Sequence, residues 1–85
     1  MKKKINIGGV DPILFVGLND QNIKVLEKHY DSTIVVRGSS MNLDGEKDEI
    51  QHIELVVQNM LTIINKKGSL SVEDVNDLLI HDDLS

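Results

Sequence analysis

The sequence predicts an α+β domain of two layers, an antiparallel three-stranded sheet beneath helices. Three observations point there. Stretches with a two-residue apolar period occur once near the start and twice in the middle, with helical periods between and after them. The two middle stretches are joined by a tight Gly-Ser-Ser connection, which makes them a hairpin. The longest helical pattern follows that hairpin, so the helices gather on one sheet face.

Each element has its own reason. In "KKINIGG", Ile5 and Ile7 lie on one side and Lys4 and Asn6 on the other, a half-buried strand ended by Gly8-Gly9. "VDPILFVG" places Asp11 at an N-cap, Pro12 at the first helical position, and Gly17 where a left-handed residue ends a helix of about one and a half turns. Asn19 or Asp20 can cap the next helix, whose Ile23, Leu26 and Tyr30 form an apolar stripe while Lys24 and Lys28 form a polar row.

In "STIVVRGSSMNLDG", Ile34 and Val36 alternate on one strand and Met41 and Leu43 on the other, leaving Val35 and Arg37 for the far face. Ile50, Ile53, Val57, Met60, Leu61 and Ile64 keep helical spacing from Glu46 to Lys67, with acids at the start and Lys66, Lys67 and Gly68 at the end. Ser71 and Asp74 have the spacing of a capping box, and Leu70 and Val75 that of a hydrophobic staple. They open a shorter helix with Val72, Val75 and Leu79 on one face. "HDDLS" reads as a frayed tail. The chain thus divides into residues 1–68 and a C-terminal helix and tail, 69–85.

Eighty-five residues make one domain that buries only about 60 to 65% of its unfolded surface. Without cysteine there is no disulfide framework and no thiolate metal site, a composition that fits a reducing cytoplasm. No apolar run approaches the roughly 20 residues of a membrane span, and "MKKK" is not followed by a signal-peptide core. The net charge of −5 is uneven: residues 1–40 carry six basic and four acidic side chains, residues 41–85 three and ten. A polyanion should therefore touch the first half, weakly and with strong salt dependence. Phe15 and Tyr30, the two aromatic residues, both suit a core, so base stacking adds little.

The order strand, helix, helix, strand, strand, helix resembles the type I KH fold, in which a Gly-x-x-Gly loop between the first two helices clamps nucleic-acid backbone. The stretch "LFVGLNDQNIKVLEKHYDSTIVVRGSSMNLDGEKDEIQHIELVVQNML" is more specifically similar to the N-terminal KH-like domain of the PhoH-like (phosphate starvation-inducible) ATPases. The shared elements are Phe15 with Gly17, Asn19-Asp20-Gln21-Asn22, Leu26-Glu27, Ile34-Val35-Val36-Arg37-Gly38 and Leu43-Asp44-Gly45. "LSVEDV" resembles the segment that leads towards the family's ATPase domain. Two positions depart from the pattern. Val16 lengthens the usual Phe-Gly, and Asp20 stands where a KH clamp has its second glycine, so a carboxylate meets any approaching phosphate.

The resemblance implies an ATPase domain, with ATP and magnesium, beyond Ser85. No "GxxxxGK[ST]" occurs within the chain, which by this reading holds no cofactor and is no enzyme itself. It also implies a cytoplasmic module that recognises single-stranded RNA weakly, through Gly17, Asn19, Lys24, Lys28 and Arg37. The other reading is a protein-interaction or oligomerisation module that docks its own ATPase domain or forms a homo-oligomer. Neither involves a membrane.

The residues leave further alternatives open. Gly17 to Asp20 is either a helix end followed by a cap or a ligand-contacting loop, and the start of the second helix attracts anions in the latter case. Lys24 and Lys28 are either a solvated face or phosphate contacts, and Arg37 either a strand end or a contact to nucleic acid or a neighbouring domain. His29, His52 and His81 are too scattered for a metal site, Glu46, Asp48 and Glu49 offset a helix dipole, and Ser39-Ser40 lacks an activating histidine.

Overall fold

A computed structural model describes residues 1–82, with side chains to residue 80. The elements are β1 (Lys2–Asn6), α1 (Pro12–Val16), a 3-10 turn (Leu18–Asp20), α2 (Gln21–His29), β2 (Thr33–Arg37), β3 (Ser40–Asp44), α3 (Lys47–Lys67) and α4 (Val72–Asp82). This is the α+β order β-α-α-β-β-α with an added C-terminal helix. The sheet is antiparallel throughout, in the order β1-β3-β2.

The sheet's two faces follow from strand parity. Lys3, Leu43 and Ile34 form one row and Ile5, Met41 and Val36 the next, both turned towards the helices. Met41, Leu43 and Ile34 are buried there with Leu26, Phe15, Ile50, Ile53 and Val57 in one core. Lys3 spans the layers to reach Glu54 of α3 at 3.5 Å. The outer face carries the rows Lys2, Asp44, Thr33 and Lys4, Asn42, Val35 and Asn6, Ser40, Arg37, with no helix over it among the described residues.

α4 is part of the same core. It packs against α2 and α3, and its Val75 and Leu79 are buried with Leu70 in the shared cluster. The capping box forms in both directions: the Ser71 N–H donates to Asp74 Oδ2 at 3.0 Å, and the Asp74 N–H donates to Ser71 Oγ at 3.1 Å. Lys67 completes the corner with an ion pair to Asp74 at 3.0 Å. The bond from the Ser71 N–H, then Lys67, hold the Asp74 carboxyl below the usual carboxylate range.

Several local expectations are corrected. Ile7, expected within the first strand, lies just past β1, buried, with its N–H donating to Ser39 O at 2.8 Å. The hairpin connection is two residues, Gly38 and Ser39, because Ser40 already pairs with Arg37. Gly38 comes first at φ 57°, where a II′ turn places glycine. Gly17 has a positive φ of 82° but ψ 168°, so it ends α1 outside the left-handed helical region. Of the expected tail "HDDLS", His81 and Asp82 continue α4, and residues 83–85 lie outside the described residues.

At one end of the sheet, the connections entering β2 and leaving β3 meet. A Cβ on Gly45 would lie 2.2 Å from Ser32 Oγ and 3.2 Å from its Cα, so only glycine allows this approach. Glu49, in the first turn of α3, accepts hydrogen bonds from the Ser32 N–H at 2.7 Å and from the Ser32 hydroxyl. Its acidity therefore has a use beyond offsetting the helix dipole. The Ser32 hydroxyl, opposed by partial burial and helped by the Ser32 N–H, lowers the Glu49 pKa from its ordinary value.

A carboxylate whose pKa is lower folded than unfolded gives stability that is full above its unfolded pKa and lost as pH falls through the folded one. Glu49 and Asp74 both have this sign. The chain should accordingly lose thermal stability below about pH 4.3. Glu49→Gln should flatten that acid limb while lowering the melting temperature at pH 7, as thermal circular dichroism across pH would record.

Candidate functional site

α1 and its exit expose three large apolar side chains, Ile13, Leu14 and Leu18. Four consecutive apolar residues in "ILFV" sweep about 300° around a helix axis, so they cannot all face one core. Phe15 is fully buried, whereas Ile13 is 63% exposed and Leu18, in the following turn, 73% exposed. With Leu14, Gly17, Gln21 and Leu70 they border a shallow depression of about 200 Å³.

The turn itself is held in a conformation that side chains rarely adopt. Asn19 (φ 55°, ψ 31°) and Asp20 (φ 58°, ψ 27°) are both left-handed, and the Asp20 N–H donates to Gly17 O at 3.1 Å. Neither places a side chain on the α2 N-terminus, so the expected cap is not made. Asparagine and aspartate tolerate this region better than other residues with side chains, which accounts for their presence here.

What fixes the turn is Asn22, fully buried. Its Nδ2 donates to Phe15 O at 3.3 Å and to Leu70 O at 3.1 Å, tying the end of α1 and the lead into α4 to α2. Its Oδ1 is buried without a hydrogen-bond partner among the described residues. Gly17 is the complement of this latch. A Cβ there would stand 2.7 Å from Gln21 Cγ and 3.0 Å from Asn22 Nδ2, in addition to the strain of its positive φ.

The sequence treats Asn22 only as part of a motif. The signal that would have found it is its position four residues before Leu26, on the buried side of the helix. In the first turn of α2, where an anion would bind, Asn22 and Ile23 are buried and the N–H of the exposed Gln21 already donates to Leu18 O.

The five residues named from the sequence divide between the two layers. Gly17 and Asn19 form the turn, and Lys24 is exposed on the α2 that follows it. Lys28, also exposed, borders a groove shared with Val72, Asn76 and Leu79 of α4. Arg37 stands apart, on the outer sheet face, in a row with Asn6 and Ser40. No protein-family model, curated protein or solved structure matches the chain. Among the described residues no group of three His, Cys, Asp or Glu side chains is placed to hold a metal ion, and no helix is long and apolar enough to cross a membrane.

Gly17→Ala and Asn22→Ala should each destabilise the fold by about 1–3 kcal/mol, the first through strain and overlap and the second by leaving two carbonyls unpaired. Because the two side chains would occupy the same space, Gly17→Ala should cost less in the Asn22→Ala background. Urea denaturation of the two single variants and the double variant measures this coupling.

Proposed function

We propose that the chain is the KH-like N-terminal module of a PhoH-like ATPase and that it recognises single-stranded RNA weakly through its helix layer. The observation that carries this reading is the continuity of two surfaces. The ledge of Ile13, Leu14 and Leu18 borders, with Gly17, a depression that reaches Gln21 at the start of α2, and Lys24 and Lys28 follow three and seven positions on, exposed and one turn apart. Apolar surface beside cations suits a single strand, whose bases seek cover while its phosphates seek charge.

The contact differs from a Gly-x-x-Gly clamp. With Asn22 and Ile23 buried in the first turn of α2, phosphate attraction falls to the two lysines, and Gly17 serves by letting the turn pass close to Gln21 and Asn22. Asn19 offers its exposed amide at the rim, while the Asp20 carboxylate limits affinity. ATP and magnesium belong, in this reading, to the ATPase domain of the larger protein.

A second reading has one observation in its favour. Asp20 projects a negative charge at the fourth turn position, next to the exposed Leu18, a combination suited to a protein surface better than to RNA. On this reading the ledge docks the ATPase domain, and Arg37 is free for a separate contact.

Amide NMR titration with short single-stranded RNA, at low and near-physiological salt, separates them. RNA recognition should shift residues 13–28, with log affinity falling against log salt at a slope of about −1.4 for two neutralised phosphates. Lys24→Glu with Lys28→Glu should weaken it at least about tenfold with unchanged circular dichroism. Spectra indifferent to RNA at both salts would discard this reading in favour of domain docking.

A further inference from the structure

The strand order β1-β3-β2 leaves two edges, and the sequence treats them differently. β1 carries Lys2, Lys3 and Lys4 in succession, a common guard against edge pairing. Two β1 strands paired about their centres would set Lys4 beside its own copy. β2 reads Thr-Ile-Val-Val-Arg, four β-branched residues in five, with no charge before Arg37 and neither proline nor glycine.

Its backbone is also available. In a two-residue hairpin the pair next to the turn, Arg37 with Ser40, is hydrogen-bonded, and so are the alternate pairs Val35 with Asn42 and Thr33 with Asp44. The N–H and C=O groups of Ile34 and Val36 therefore point away from β3, and they meet no other backbone group among the described residues. Val35 lies between them on the outer face, 38% exposed.

We propose that β2 pairs with β2 of a second copy of this chain, antiparallel about a two-fold axis at Val35, to make one continuous six-stranded sheet. In this register Ile34 of each copy exchanges both backbone bonds with Val36 of the other. The two Val35 side chains form the close, non-hydrogen-bonded pair, covering apolar surface that is otherwise open. Arg37 falls opposite Thr33, so no like charges oppose one another, in contrast to β1. The arrangement uses the same patch twice and closes at two copies.

Sedimentation velocity of the 85-residue chain over a concentration series tests this, with hydrogen exchange read at Ile34 and Val36. A monomer–dimer equilibrium is expected, with both amides slowing as concentration rises. Val35→Lys, which changes an exposed side chain and sets two ammonium groups together, should weaken the dimer about tenfold while leaving the monomer's circular dichroism unchanged. Lys4→Glu, on the guarded edge, should leave the dimer's dissociation constant within about twofold. A monomer at every concentration overturns the proposal and leaves the edge to a strand from another protein. A dimer that Val35→Lys does not weaken overturns it as well, by placing the interface elsewhere. The test is independent of RNA recognition, because Val35 lies in the layer opposite Lys24 and Lys28.

Discussion

Asn22 donates its side-chain amide to two carbonyls that neither helix geometry nor sheet pairing satisfies, Phe15 O at the end of α1 and Leu70 O ahead of α4. A fully buried amide is worth keeping only when its partners are lost without it, and here both partners are ends of backbone segments. Around this contact Gly17 must lack a side chain, Asn19 and Asp20 must turn left-handed, and α4 must lie against α2. The two left-handed positions without glycine among the described residues, Asn19 and Asp20, thus lie within the segment that the bond from Asn22 to Phe15 closes.

This ordering changes how the conspicuous turn reads. A glycine followed by polar residues before a helix suggests an anion cradle, yet Gly17 has a sufficient steric reason to be glycine, and Asn22 and Ile23 in the first turn behind it are buried. What remains for a ligand is the surface outside the latch. It consists of apolar Ile13, Leu14 and Leu18 at the turn and the lysines further along α2. The basic side chains of the first forty residues are shared between this layer and the outer sheet face, where Lys2, Lys4 and Arg37 stand with Asp44 as the acid among the outward strand positions.

Where the sequence was legible, a local rule and the tertiary structure asked for the same thing. Alternation in "TIVVR" and "MNLD" set the faces of the hairpin, Asp11 caps α1 through the Ile13 N–H at 3.0 Å, and Ser71 with Asp74 caps α4. Where it was not, the deciding contact came from far along the chain. "NDQN" offers three capping side chains, and although the spacing from Leu26 puts Asn22 on the buried side of α2, nothing local names its partner Leu70, 48 residues away. Ser32 and Glu49, 17 residues apart, were hidden in the same way. Strand parity alone put Arg37 on the outer face, but only the layering of α2 over the other face shows that this parts it from Lys24 and Lys28.

The bond from Asn22 to Leu70 also determines how α4 handles force. Leu70 lies in the short link between α3 and α4, so a pull on α4 towards solvent loads this bond and the buried Val75 and Leu79 before it reaches the sheet. The same amide holds Phe15, so the anchorage of α4 and the end of α1 rest on a single buried donor group.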